Sequence, residues 1–574
     1  MLFRSVHATA AAAADGTKMI VKIPKGAATP VPGSGIGTAA AIHASRCNTS
    51  NPDYGVYGRW NASTEGSGPV CVRPFKEGES NGGATAQGVT KDKISVVAVI
   101  PGQTQLAAQI AARTTVPQNR ATGQVGNFAD SISDQLQINM RNYETWGRDV
   151  EVTVYASTGD DEAAQRADAV AILTKKPFAV LDMVTTGLDT LDTAIAKAKV
   201  PVWGYSASTT KATAQAPYRW GQNDAQAATV AAGEVLGKQL VDKNATFGGD
   251  DVKAKKRTIG AVYLDGTVII DSFDKTLAKY GGKDVKSLSY TGNGSVRGDP
   301  TTAATFAPQI VGQLKNAGVT TVALFSDTAM VNALMKQASE QQYFPEWFFS
   351  SAFYADIAVL ARTNPADQMA HAFGLSTFSP YINPTSLGSV DQLTWYWGPN
   401  LGTTGPGSAA LFWLNAGVHT AGPNLTPKTF AQGLFSIPAA GGAITGNAVV
   451  PTSGFGKAAG LPYDEYMLTG FDFAPFWWDP DTVGPSSAVG TEAKGVTWFV
   501  DGGKRYLAGQ FPSKPFTYFS KDGALVKFDS YPGTPPKATV CTDCPSATKV
   551  GAPGAASQTL IVGKAVESGS QTGS

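Results

Sequence analysis

The chain has 574 residues, 43% hydrophobic and 16% charged, with 46 basic against 45 acidic side chains and a formal net charge of +1. That length exceeds one ordinary domain and suits two or three. The composition excludes a disordered chain, and an even charge balance without a basic block argues against a nucleic-acid partner. No apolar run of 18 residues occurs, so no membrane-spanning helix is expected.

Residues 1–87 read as a loop-rich leader and extension, with "KGAATPVPGSGIGTAA" and "KEGESNGGATAQG" as low-complexity pieces. The opening "MLFRSVHATAAAAADG" reads either as the tail of a secretory signal or as a plain Ala-rich leader. Order begins at "GVTKDKISVVAVIPG", where Ile94 to Ile100 is an apolar, β-branched strand. A helix over 128–147 and a strand over 150–155 follow. The next helix places Ala163, Ala167, Val170 and Thr174 at helical spacing. Then come "PFAVLDM", "LDTAIAKAK" and "VPVWGY" as strand, helix and strand, and "AQAATVAAGEVLGKQLVDK" as a helix. A second series runs from "TIGAVYL" through "DSFDKTLAKYGG", "VKSLSY", a helix face of Phe306, Ile310, Leu314 and Ala317, and "TTVALF". It ends with a helix face of Val331, Leu334, Met335 and Ala338, and "EWFFS". Strands alternating with helices of this length predict parallel sheets, and two such series predict two α/β lobes. After 350 the alternation is less regular. "SAALFWLNAGVHTAG" and "TPKTFAQGLFS" read as helices, "FAPFWWD" and "GVTWFVDGGKRYL" as strands.

The four cysteines, Cys47, Cys71, Cys541 and Cys544, all lie in the polar flanks. An even number in that setting predicts disulfides, Cys47 with Cys71 and Cys541 with Cys544, in an oxidising compartment. "CTDC" is also half of a zinc pattern, but no second pair accompanies it and His7, His43, His371 and His419 are scattered. No metal or cofactor is expected.

The strand ends carry the chemistry. "PGQTQ" with Gln103, "MVTTG" with Thr185 and Thr186, and "GYSASTT" with Tyr205, Ser206, Ala207 and Ser208 close strands of the first series. "DGT" with Asp265, "SDT" with Asp327, and "SSAFYAD" with Ser350 and Ser351 close strands of the second. Such residues cap helices and make turns. They also bind ligands, because in open α/β sheets ligands sit outside the carboxyl ends of the strands. Catalytic machinery is absent from the sequence patterns. There is no G-x-S-x-G elbow and no phosphate loop, and "GNGSVRG" has the wrong spacing for a dinucleotide fingerprint. Asp265 and Asp327 could act as general bases, but no nucleophile stands near them in sequence. "WDPD" at 478–481 is a weak calcium pattern.

"GVTKDKISVVAVIPG", "NMRNYETWGRDVEVTVYASTGD", "KKPFAVLDMVTTG", "AKVPVWGYSAS", "KRTIGAVYLDGTVIIDSFDKTL" and "GVTTVALFSDTAMVNALMKQASEQQYFPEWFFSS" follow one another as in the type I periplasmic solute-binding proteins. The sequence resembles that family over roughly residues 88–470, and in particular its members for branched-chain amino acids and amides. The resemblance implies two Rossmann-like lobes joined by a three-crossover hinge. It divides the chain into 88–220 with 350–440 as the first lobe and 221–349 with 441–530 as the second. A flexible tail is expected over 531–574. The implied function is an extracytoplasmic, non-enzymatic, monomeric protein. It would capture a small polar or carboxylate-bearing solute (amino acid, amide or carboxylic acid) and deliver it to the permease of an ATP-driven importer. The alternatives are a ligand-sensing receptor domain of the same fold and, further off, a hydrolase. By position, Thr185, Thr186, Ser206, Ala207 and Ser208 would hold the solute's carboxylate. The acidic residue expected after "EWFFSS" is replaced by Ser350 and Ser351, with no carboxylate until Asp356. Asp265 or Asp327 would substitute for it, with Tyr205, Phe325 and Trp347 as apolar walls.

Overall fold

Strand β2, Lys93–Ile100, shows why the first sheet is buried on both faces. Val96 and Ala98 point into one apolar cluster with Trp203, Trp220, Trp413 and Phe430, while Val97 and Val99 point into another with Ile172, Leu191 and Ile195. Successive side chains of a strand alternate faces, so a sheet covered twice needs an unbroken apolar run. In the computed structural model, the described residues are 17–21, 75, 78–102, 143–184, 188–205, 209–223, 225–266, 270–292, 298–351, 356, 358–378, 408–437, 439, 442–445, 451–455, 466–469, 472–485, 492–526 and 561–562.

The first sheet has the order β12-β6-β5-β4-β2-β3-β1-β17. Its strands are β1 (Thr17–Val21), β2, β3 (Asp149–Ala156), β4 (Ala179–Asp182), β5 (Val202–Gly204), β6 (Arg219–Asn223), β12 (Met467–Thr469) and β17 (Ile561–Val562). From β12 to β3 every pairing is parallel, while β1 runs antiparallel to β3. Helices α1 (Glu162–Leu173) and α2 (Asp189–Lys197) carry the chain from β3 to β4 and from β4 to β5.

The second sheet, β16-β14-β13-β11-β10-β9-β7-β8, follows. It contains β7 (Ile259–Leu264), β8 (Asp284–Tyr290), β9 (Thr321–Phe325), β10 (Glu346–Phe349), β11 (Ala372–Ser376), β13 (Asp472–Pro485), β14 (Glu492–Phe499) and β16 (Leu525–Val526), with β15 (Tyr506–Leu507) paired to β13. Its helices are α3 (Ala225–Val235), which widens into a π turn at Leu236–Leu240, α4 (Ile270–Lys279), α5 (Pro300–Asn316) and α6 (Thr328–Glu340). Asp299 caps α5 by accepting from Thr301 N and Thr302 N, and Pro300, which has no N–H to satisfy, opens it. Two further helices, α7 (Ser408–Ala421) and α8 (Pro427–Phe435), lay Trp413 and Phe430 on the first sheet. Trp413 lies 6.1 Å from Trp220 and 4.9 Å from Phe430, ring centre to centre, so one aromatic cluster ties α7, α8 and β6 together.

Two expectations are corrected. β11 pairs with β10 and β13, so the return to the first lobe comes after 376 rather than at 350. β12 pairs with β6, which places 467–469 in the first lobe rather than the second. Within the leader, Thr17–Val21 forms a strand that pairs with β3, and 78–92 is anchored. The buried Arg148 guanidinium donates to the carbonyls of Thr90 (2.8 Å), Asn81 (2.5 Å) and Pro423 (3.0 Å), which fixes that segment's path. The four cysteines lie outside the described residues.

Candidate functional site

Three strand ends of the first lobe, those of β3, β4 and β5, are braced from below by buried polar groups. After β3, the Asp168 carboxylate accepts from Tyr155 Oη (2.7 Å), Thr158 N (2.9 Å) and Thr158 Oγ1 (2.7 Å). Burial and that carboxylate hold the Tyr155 phenol well above its ordinary range. After β4, Asp182 accepts from Val184 N (2.8 Å) and Leu188 N (3.2 Å), bracketing the stretch that contains Thr185 and Thr186. Burial pushes the Asp182 carboxyl up to about 7, although those two N–H donors and Arg219 pull the other way. α2 has no cap of its own at Leu188. Gln165 of α1 reaches across and accepts from Thr190 N (3.0 Å) and Leu191 N (3.3 Å) instead.

Beneath β5 the brace is ionic. Arg219, fully buried, donates to Asp192 (3.3 Å), Asp189 (3.0 Å) and Thr193 Oγ1 (2.8 Å). A Cβ on Gly204 would stand 2.0 Å from Asp192 Oδ2, so only glycine lets β5 close over that carboxylate. Tyr205 follows it and is half-buried. Gln103, Thr185, Thr186, Ser206, Ala207 and Ser208 lie outside the described residues.

In the second lobe, Asp327 is buried and caps α6 through Met330 N (2.9 Å). Its other oxygen accepts from Tyr290 Oη (2.7 Å), and its own N–H donates back to that hydroxyl (2.9 Å). Asp265 is exposed and joined to the same loop, its N–H donating to Tyr290 O (2.9 Å). Ser350 is buried and donates to Leu324 O (2.6 Å). Ser351 stands at φ +64°, a left-handed conformation that non-glycine residues adopt at a cost. Its hydroxyl donates to Asp356 Oδ1 (3.0 Å) and accepts from Thr377 N (3.1 Å). The structure thus gathers Ser351, Asp356 and Thr377 at the ends of β10 and β11, and Thr377 was not read from sequence. Phe325 and Trp347 are not walls. Both are fully buried in the second lobe, Phe325 against Phe273 at 5.2 Å and Trp347 donating from Nε1 to Gln368 (2.8 Å).

Asp479 of "WDPD" spends its carboxylate on Asp481 N, Thr482 N, Thr482 Oγ1, Trp498 Nε1 and Lys521 Nζ. Burial opposes ionisation, but the hydrogen bonds from Thr482 and Lys521 outweigh it and bring the carboxyl down to about 2. Among the described residues no group of three His, Cys, Asp or Glu side chains could hold a metal ion, and no helix is long and apolar enough to cross a membrane.

These features define a two-lobed α/β protein with polar loops, braced from within, at the carboxyl ends of the parallel strands of two sheets. The family model described as "periplasmic binding protein" matches residues 123–459, more than half of the chain, and the chain belongs to that family. No curated protein matches the chain significantly. Among solved structures, it is similar to a solute-binding protein of an ABC transporter from R. palustris in complex with 4-hydroxybenzoate. Identity is 13% over 70% of this chain and 97% of that one, with a TM-score of 0.44. It is similar to the leucine-, isoleucine-, valine-, threonine- and alanine-binding protein from Brucella ovis (10%, 74% and 99%, 0.45). It is also similar to a fatty acid ABC transporter substrate-binding protein from Thermomonospora curvata (16%, 71% and 92%, 0.42). The family match carries the assignment.

Proposed function

We propose that this chain is a non-enzymatic, extracytoplasmic solute-binding protein that captures a small polar or carboxylate-bearing solute between its lobes and hands it to the permease of an ATP-driven importer. The observation that supports this most is a family match running through both lobes, whose strand-end loops are polar and internally braced. Ser206, Ala207, Ser208, Thr185 and Thr186 hold the solute's anionic or carbonyl group from the first lobe. Hydroxyls and strand-end N–H groups do this without adding a full buried charge. From the second lobe, Ser351 and Asp356 face its other polar end. Asp356 is the carboxylate the sequence pattern left four residues short, and its bond to Ser351 returns it to the strand end. Asp327 and Ser350 serve as structural braces beside that site, and Tyr205 is an apolar wall.

A thermal-shift screen with leucine, an aliphatic amide and 4-hydroxybenzoate, followed by calorimetric titration, tests the reading. A bound solute raises the melting temperature by mass action. In Ser206→Ala/Ser208→Ala the affinity for that solute falls roughly 10- to 150-fold with little change in melting temperature. Earlier melting with unchanged affinity would make the hydroxyls structural.

A further inference from the structure

The chain passes between the sheets after β11 and again between β12 and β13, and both passages meet at one ion pair. Asp472 opens β13 and Arg505 precedes β15. Both side chains are fully buried, with Nη2 3.1 Å from Asp472 Oδ1. On the second-lobe side, Arg505 donates to Phe378 O (2.8 Å) and Thr377 O (3.0 Å), the residues that leave β11, and to Asp472 O (3.0 Å). On the first-lobe side, the Asp472 carboxylate accepts from Thr452 N (3.0 Å), Thr452 Oγ1 (2.8 Å) and Ala443 N (2.8 Å). That segment belongs to the first lobe. Gly454 N donates to Leu468 O of β12, and Phe455 meets the Trp220 ring edge-on at 5.4 Å. Gly442 closes the fit, since a Cβ there would stand 1.9 Å from Asp472 Oδ2. Leu507, two residues after Arg505, packs with Ala212, Ala439 and Met467.

We propose that Asp472 and Arg505 are a positioning pair for lobe closure: a fixed pin that holds both passages at one point while the lobes turn about it, so that they meet over the solute in a single register. This rests on the binding role proposed above. A buried ion pair adds little net stability over apolar groups of the same shape, and its contribution is geometric. The planar guanidinium fork fixes the direction of three carbonyls at once, which a lysine cannot do. A latch that opened with the lobes would leave one buried charge uncompensated in one state. A pin stays paired in both.

Two measurements on solute-free protein test it. In the wild type, the amides of Ala443 and Thr452 are expected to exchange hydrogen as slowly as those of β2 and β9. Exchange at the rate of an open loop would overturn the pin. In Arg505→Met, those two amides are expected to exchange about tenfold faster, the loss of one net hydrogen bond. The small-angle scattering distance distribution broadens, while the β2 and β9 amides are unaffected. A folded variant with wild-type scattering and exchange would overturn the proposal. Should Arg505→Met not fold, Arg505→Lys keeps the charge without the fork and is held to the same comparison. Neither reading needs a solute. A protein that bound none of the screened compounds would sink the proposed function and leave this result standing.

Discussion

Asp182, Asp192 and Arg219 lie buried together beneath the ends of β4 and β5, with Asp192 paired to the guanidinium and Asp182 held by backbone N–H groups. Burial raises both carboxyls, Asp182 to about 7 and Asp192 well above its ordinary value. A carboxyl whose pKa is higher folded than unfolded binds more protons in the folded state between the two values. Its stabilising contribution is full below the unfolded pKa near 3.8 and is lost as pH rises through about 7. Urea unfolding at pH 5 and pH 8 should therefore show lower stability at the higher pH, by up to about 1.4 kcal/mol per pH unit for each group in that window. Asp182→Asn/Asp192→Asn, which fixes both groups neutral, should flatten the slope. A slope like the wild type's would refute this account. The same scale divides Asp327 from Asp356. Asp327→Ala removes a helix cap and the partner of Tyr290, so it should cost about 1–3 kcal/mol of stability and leave solute affinity unchanged. Asp356→Asn should instead weaken a solute that carries an ammonium roughly 10- to 150-fold and spare a plain carboxylic acid. The buried partners of Asp182, Asp192 and Asp327 were not legible in sequence, where a buried, partnered aspartate looks like any turn aspartate. Only the strand-end position was visible.

Helix α1 shows where element-level reading fails. Ala163, Ala167, Val170 and Thr174 satisfy a helical period, yet Val170 is 66% exposed and the buried face is Gln165, Asp168, Ala169 and Ile172. Apolar periodicity finds a face only when the buried residues are apolar. Here two of the four are polar because they hydrogen-bond the loops after β3 and β4. α6 shows the opposite, with Val331, Leu334, Met335 and Ala338 all buried as expected. Among strands, the β-branched runs of β2 and β9 stood out. β6, "RWGQN", was missed because its arginine is buried by ion pairing rather than by apolarity. Gln165→Ala should strip α2 of its borrowed cap and lower unfolding stability by about 1 kcal/mol. Gln165→Glu, which keeps the acceptor, should recover part of that loss. Equal stability of the alanine variant and the wild type in urea would show that the first turn of α2 needs no partner.

Two lobes were legible in the whole sequence because each α/β series carries enough apolar residues for its own core, and the described clusters separate along that division. The lobe boundaries were not, because the strands that mark the passages between the lobes are short. β11 has only five residues, and β12 only three. Those passages determine how the molecule works as a binder. In the function proposed above each lobe contributes one side of the site, so affinity requires the lobes to meet. Rigid lobes on a pinned hinge close by rotation, not by refolding. Small-angle scattering of the wild type should then show a smaller radius of gyration with a saturating solute from the screen than without it, while far-ultraviolet circular dichroism stays constant. Arg505→Met should close less uniformly and bind the same solute more weakly, because a looser hinge populates the binding-competent register less often and apparent affinity falls by that fraction. An unchanged radius at saturation would mean that the solute sits on one lobe, and the clamshell reading would fall while binding itself remained.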